Sequence, residues 1–489
     1  MNKTLATLAP AAVAALMLSA CNGNSVGGAT GVAPVPNAGA APQAHRGGRM
    51  RGADNGPQDL HAGGATFPAY AYNLGNQPVG TYDQAQAPPG QGSLFYAAPT
   101  HGTIYYCLTG SGAGRKAFEG GSQDSGAPPT GPCAPLGATP TGFGGRTDPM
   151  DFAGSDVAMT SSEYQSWYVP NRKQSSPGWG EPFEFPTIGG PIVYGYRPQD
   201  YSVKKIKLST WTYCAITNGT IGDWNDPAIT ADNGGSVTGG VSQSLTFYFR
   251  SDSSGTSFLF TNKLNTACNQ TFGAPYNGPP YAGPSRSAAW AFGVNSTWPG
   301  PGSSGDPNSR FIGESGNPGA LAAIQSTPFA TGYLEGAWAK SGNPKVAQAL
   351  LQAGSKKNGK AFFADPTNKQ AVDSAFNDVN GGSITYGEGS DGQPLGTSAP
   401  WCILYIDPSN FVNTPKKAYP IVGLSYFLFY GLNNGQHLSD KQALINYLAS
   451  SQANKLVNKL EYVPLPASIH NAVINALNGQ GSSKPSCLQ

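Results

Sequence analysis

The chain has 489 residues, enough for two or three domains that each bury a core, so a single small module is excluded. Lys and Arg total 29 against 27 Asp and Glu, and only 11% of residues are charged; no global field points to nucleic acid or a membrane surface, and any anion site must be local. The 66 Gly and 42 Pro follow no fixed period, which excludes a collagen-like fibre and points to long irregular loops on a folded α/β frame.

At the N-terminus, Lys3 precedes an apolar stretch over residues 5–18. It is too short for a permanent spanning helix and reads as a secretory signal over residues 1–20. The stretch ends in Leu18-Ser19-Ala20-Cys21, which resembles a bacterial lipobox. That resemblance implies cleavage before Cys21 and acylation of its thiol, so membrane contact is expected through the lipid anchor only. Residues 22–60 hold Gly, Ala, Asn and Pro with almost no large apolar side chain, so burial cannot offset the entropy of ordering them. Residues 21–60 are therefore expected to be a lipidated flexible tether of an exported protein in the periplasm or cell envelope.

With Cys21 assigned to the lipid, six cysteines remain: Cys107, Cys133, Cys214, Cys268, Cys402 and Cys487. An even number in an exported chain suggests disulfides. Sequence leaves every connectivity open; pairing of neighbours in order is favoured, Cys107 with Cys133, Cys214 with Cys268 and Cys402 with Cys487. No CxxC or HxxxH spacing occurs and the five histidines are scattered, so neither a metal nor another cofactor is expected.

From Leu60 onward, β-rich apolar runs alternate with helical patterns, as expected for parallel sheets covered by helices. Strand-like runs are Pro191-Ile192-Val193-Tyr194-Gly195-Tyr196, Leu245-Thr246-Phe247-Tyr248-Phe249 and Cys402-Ile403-Leu404-Tyr405-Ile406. Leu444, Tyr447 and Leu448 fall at helical spacing, as do Ala453, Leu456, Val457 and Leu460, and both stripes read as core. Gly/Pro-rich stretches at about 119–148 and 272–308 interrupt the pattern and read as long surface insertions.

Three segments place small hydroxyl-bearing residues where a helix can begin: Gly63-Gly64-Ala65-Thr66-Phe67-Pro68, Thr109-Gly110-Ser111-Gly112, and Arg250-Ser251-Asp252-Ser253-Ser254-Gly255-Thr256-Ser257-Phe258. A helix start exposes unpaired N–H groups at the positive end of its dipole and binds a tetrahedral oxyanion without full cationic charge. Any one of the three also fits plain N-capping. The third is the strongest, because it lies between a strand-like run and the apolar Phe258-Leu259-Phe260.

Together with Asp151-Phe152-Ala153-Gly154-Ser155-Asp156, Phe185-Pro186-Thr187-Ile188-Gly189-Gly190, Ile221-Gly222-Asp223-Trp224-Asn225-Asp226-Pro227-Ala228-Ile229 and Leu460-Glu461-Tyr462-Val463-Pro464-Leu465-Pro466, these segments resemble, in order over about 61–475, the phosphate-binding protein of bacterial phosphate ABC transporters (PstS family). The resemblance implies an α/β, two-lobed periplasmic-binding-protein-like fold of class II with a ligand cleft between the lobes. It implies crossovers near Gly190 and Trp401, with residues 61–190 plus 401–489 as lobe one and 191–400 as lobe two. The stretches at about 71–108 and 112–150 depart from the family pattern as insertions.

Carried over residue by residue, the resemblance puts phosphate against Thr66, the N–H of Phe67, Ser111, Asp156, Arg250, Ser254, Gly255 and Thr256. Asp252 would orient Arg250 by an ion pair. A carboxylate at Asp156 suits phosphate because that anion keeps a hydroxyl to donate at neutral pH, whereas sulfate has none. The expected function is capture of inorganic phosphate for an ABC-type importer, with its permease subunits as partners and a monomeric chain. The alternative is a surface-exposed or secreted phosphate-scavenging or sensing lipoprotein without a permease. A phosphatase using Ser111 or Ser254 is disfavoured, since no histidine lies near either serine in sequence to act as a base.

Overall fold

A computed structural model describes residues 59–77, 88–120, 150–272, 279–283, 286–303, 310–354, 361–411, 417–432 and 437–489. The expected signal peptide, lipidated Cys21, most of the tether and Cys133 lie outside the described residues.

The first strands are β1 (Leu60–Gly64), β2 (Ile104–Cys107), β3 (Phe152–Ser155) and the long β4 (Pro182–Tyr196). There follow β5 (Lys207–Leu208), β6 (Thr246–Arg250), β7 (Phe311–Glu314), β8 (Ala330–Glu335) and β9 (Ala347–Gln348). The last are β10 (Leu350–Gln352), β11 (Phe363–Ala364), β12 (Ile384–Tyr386), β13 (Leu404–Ile406), β14 (Val422–Tyr430) and β15 (Val463–Pro464). One large sheet runs β2-β1-β3-β14-β4-β8-β6-β7, with β15 and β9 also paired to β4.

β4 is the spine. Its sequence alternates aromatic and β-branched residues with Gly and Pro, and all 15 positions are buried, as a strand covered on both faces requires. Its first part, 182–191, pairs with β14, whereas 192–196 pair with β8. β1, β2 and β3 are mutually parallel, and β14 runs antiparallel to both β3 and β4, so this triplet runs along β4. β6, β7 and β8 are also mutually parallel, but β8 opposes β4, so the second triplet runs against it. The C-terminal strand ends of the two triplets therefore face each other across the middle of β4. Through Tyr426, Ser155 is level with Pro186, while Glu335 is level with Ile192. At about 3.3 Å per residue, that leaves roughly 20 Å along the spine for the loops of both sides to fill.

Two aromatic cores hold the halves. Phe152 packs against Phe427 and Phe429 at centroid distances of 4.9 Å, with Phe95 and Tyr72 completing the cluster. Phe260 stacks on Tyr333 at 4.3 Å, and Trp298 covers Phe247, Phe249 and Tyr333. Parts of the expected insertions thus serve as core: Tyr72 and Phe95 from 71–108, and Trp290 and Trp298 from 272–308, are buried. Large aromatic side chains contribute too much apolar area to be left on a surface loop. The helices Leu438–Leu448 and Ser451–Lys459 carry the two expected apolar stripes, with Leu444, Tyr447, Ala453 and Val457 buried. No helix of the described residues is long and apolar enough to cross a membrane.

Cys214 is bonded to Cys268 and Cys402 to Cys487, and Cys107 is also disulfide-bonded. The first bridge joins the helix Thr210–Thr217 to the end of the helix Gly255–Ala267 across a separation of 54 residues. Replacing both Cys214 and Cys268 by serine should lower the unfolding free energy by about 2–5 kcal/mol, because the denatured chain gains the freedom of that loop. Urea titration of the oxidised wild type and the double variant measures it; coincident midpoints would show that the bridge does not hold the two helices.

Candidate functional site

Each expected site residue follows a parallel strand at its C-terminal end, where open α/β sheets place their ligands. Thr66 and Phe67 follow β1, Ser111 follows β2, Asp156 follows β3, and Arg250 closes β6. Helix starts supply the rest: Ser111 begins the helix Ser111–Glu119, and Gly255 and Thr256 begin the helix Gly255–Ala267 behind the cap Ser254, whose hydroxyl accepts from the N–H of Ser257 at 3.2 Å. The first N–H groups of both helices have no partner within the helix.

The structure brings these residues together. Asp156 accepts from Ser111 Oγ at 3.1 Å through Oδ2, and the Asp156 N–H donates back to Ser111 Oγ at 3.1 Å. Gly255 closes on this pair so tightly that a Cβ there would lie 2.6 Å from both Asp156 Cβ and Ser111 Oγ. Only glycine lets the second half approach the first at that point. Gly112 donates its N–H to the carbonyl of Ser253 at 2.9 Å, a further link across the gap. Arg250 makes the expected ion pair with Asp252, its Nε and Nη2 donating to Asp252 Oδ1 and Oδ2 at 2.7 and 2.5 Å, and its Nη1 reaches Thr256 Oγ1 at 3.5 Å. Thr66, Phe67, Ser111, Asp156, Arg250, Ser254 and Thr256 are all buried.

Several participants were not expected from the sequence. Asn317, at the start of the helix Gly316–Ser326, donates its backbone N–H and its Nδ2 to Thr66 Oγ1 at 3.3 and 3.1 Å, and the N–H of Gly316 donates to Asp252 Oδ1 at 2.9 Å. Trp338 donates its indole N–H to the carbonyl of Thr66 at 2.7 Å. Tyr462 Oη bonds the carbonyl of Phe67 at 2.9 Å and Glu335 Oε2 at 3.0 Å. Ser425 donates its hydroxyl to Asp156 Oδ1. Its signal was legible as a lone serine within the apolar and aromatic run over 422–430. Among the described residues, no group of three or more His, Cys, Asp and Glu has the geometry to hold a metal.

Charge is arranged unevenly. Burial opposes ionisation of Arg250, but the Asp252 carboxylate more than offsets it; Asp252, which burial alone would raise, is held below the usual carboxylate range by Arg250 and the N–H of Gly316. Among the described residues, Asp156 has no such intimate counter-ion. Burial pushes its carboxyl up to about 7, against the lowering pull of Ser425, Ser111 and Arg250. Burial likewise pushes Glu335 up to about 8.

A family model for the PBP superfamily domain matches residues 81–386, more than half of the chain. The chain belongs to the PBP superfamily. Within this family it is 28% identical over 332 residues to the phosphate-binding protein PstS 2 of Mycobacterium tuberculosis, covering 67% of this chain and 73% of that protein. It is 26% identical over 309 residues to the phosphate-binding protein PstS of Methanocaldococcus jannaschii, covering 61% and 67%. Among solved structures, a high-affinity periplasmic phosphate-binding protein bound with phosphate superposes with a TM-score of 0.57 at 17% identity, over 88% of this chain and 96% of that one. The phosphate-binding protein of Stenotrophomonas maltophilia gives 0.55 at 18%, with the same coverage. These structures share the two-lobed α/β fold.

The perturbed carboxyl has a stability consequence. Asp156 binds its proton more tightly folded than unfolded, so the folded state is favoured fully below pH about 4 and loses that advantage as pH rises towards 7. A shift from 3.8 to about 7 corresponds to about 4 kcal/mol above that range. Asp156→Asn, which cannot ionise, should therefore gain thermal stability over the wild type that is near zero at pH 4 and grows through pH 7 in anion-free buffer. Melting curves at a series of pH values test this; a gain independent of pH would contradict burial as the cause.

Proposed function

We propose that this chain is a phosphate-binding solute-binding protein that captures inorganic phosphate between its two lobes and delivers it to an ABC-type importer. One observation carries the reading: a buried carboxylate, Asp156, held between the starts of two helices whose first N–H groups have no partner within the helix, with Arg250 ion-paired to Asp252 nearby. Such a carboxylate repels any anion that has no proton to give it, and accepts from one that has. Phosphate keeps a P–O–H at neutral pH, whereas sulfate does not.

Phosphate would then lie against Thr66, the N–H of Phe67, Ser111, Asp156, Arg250, Ser254, Gly255 and Thr256, with Asp252 orienting Arg250. The lobes would divide where β4 changes partner, near Gly190, giving lobe one 61–190 with the C-terminal segment and lobe two from Pro191. Ser390 and Ser398 bond Ala158 and Glu181, which supports a return of the chain ahead of the expected Trp401. Acylation at Cys21 would keep the protein at the cell envelope, where a permease can receive the ligand.

Isothermal titration with phosphate and sulfate at fixed ionic strength tests the reading. Phosphate should bind and sulfate should bind much more weakly, and Arg250→Ala should weaken phosphate by about 2 kcal/mol or more, since it removes a charged donor from a desolvated site and leaves Asp252 without its counter-ion. Unchanged affinity in a folded Arg250→Ala variant would rule the site out. In Asp156→Asn the amide both donates and accepts, so phosphate should be retained in part and sulfate should gain, shrinking the preference by about tenfold or more. An identical ratio in variant and wild type would remove Asp156 as the discriminating group.

A further inference from the structure

The β14–β4 pairing contains an irregularity whose place is informative. Ser425 lies opposite Ile188 and Tyr426 opposite Pro186, so Thr187 is an extra residue on β4. Pro186 has no N–H for the ladder, which suits it to a bulge. The Thr187 hydroxyl donates to the carbonyl of Ser425 at 2.9 Å, and the Tyr72 hydroxyl in turn bonds Thr187 Oγ1. Tyr72, Thr187 and Ser425 are all buried. Bulges beside functional sites re-aim side chains. This one fixes the Ser425 peptide in the orientation in which its hydroxyl donates to Asp156 Oδ1.

The two oxygens of Asp156 are thereby made unequal. Oδ1 receives Ser425, while Oδ2 lies on the side of Ser111 and of Gly255, where an added Cβ would come within 2.9 Å of it. Resting on the phosphate reading above, we propose that Ser425 is a specificity-determining positioning residue: its hydroxyl favours the carboxylate form of Asp156 and orients it so that Oδ2 accepts the ligand's P–O–H. A carboxyl left to protonate would donate as well as accept, and so would admit sulfate. A hydrogen bond to the charged form opposes that protonation.

The other charged and titratable groups around Asp156 act differently. Arg250 from β6 and Arg115 from the helix Ser111–Glu119 favour the carboxylate. Glu335 at the end of β8 interacts with it as a like charge, and Tyr72 is held neutral beside it. Asp252 is neutralised by Arg250. These influences set the overall cost of the charge. Among the described residues, only the Ser425 hydroxyl is bonded to the oxygen on the side away from Ser111.

Competition titrations of phosphate against sulfate on the full chain, at fixed ionic strength from about pH 5 to 9, test the proposal. In the wild type the phosphate-to-sulfate ratio should rise with pH as Asp156 ionises. Ser425→Ala should move that rise up by about one pH unit, leaving the ratio near neutrality about tenfold lower. Ser425→Thr, which keeps the hydroxyl, should restore the wild-type profile. Thr187→Val keeps the Ser425 hydroxyl but frees its peptide, so it should shift the profile in the same direction by less. It also decides the matter if Ser425→Ala does not fold. A rise at the same pH in the folded variants, even with both affinities lowered together, overturns the proposal while leaving the phosphate reading intact. A wild type without phosphate preference at any pH overturns that reading and this proposal with it.

Discussion

Because β4 is one strand shared by both halves, with one parallel triplet running along it and the other against it, the C-terminal strand ends of each half are aimed at the same gap. Ser425 from β14 and Tyr462 from ahead of β15 join the groups that these ends supply. Loops that leave those ends begin helices within a few residues, and each helix start brings N–H groups without intrahelical partners. The polarity of two strand sets thus produces a concentration of donors that no single segment explains. It also accounts for the absence of any strongly basic composition: an anion can be held by backbone dipoles and one ion-paired arginine.

The polar groups of the cleft divide into those that are electrically settled and those that are not. Arg250 and Asp252 neutralise each other through a two-point fork, and Asn317 and Thr66 satisfy each other without charge. Asp156 and Glu335 remain as buried carboxyls with hydroxyl partners and no dedicated cation. Burying an unpaired charge is costly, so such a group persists only where the protein gains by keeping a proton acceptor there. The strain is borne locally, while the surrounding aromatic clusters supply the apolar burial that keeps the frame intact.

Much of this was legible in the sequence. Helix starts at Ser111 and Gly255 follow from small hydroxyl-bearing segments, the second of them before the apolar Phe258-Leu259-Phe260, and Arg250 with Asp252 two residues on is readable as an ion pair. Asp156 was singled out because its neighbours Phe152 and Ser155 matched a motif rather than because an acidic residue advertises an anion site. Asn317, Glu335 and Ser425 escaped because their roles depend on register and on which strand ends meet, and neither is encoded locally. The expectation of surface insertions understated the stretch 272–308 because Gly and Pro dominate its composition, while the two buried tryptophans within it decide where it packs.

Trp338 adds a consequence of a different kind. It follows β8, yet its indole N–H is bonded to the Thr66 carbonyl and its ring stands edge-on to Tyr70 at 5.0 Å, so a chromophore of one half rests on two residues that follow β1 in the other. Indole emission responds to the polarity around the ring and to the bond its nitrogen makes. Separation of the halves would break that bond and wet the ring together, so the indole is placed to report cleft opening optically, from a carbonyl just beyond the end of the first strand.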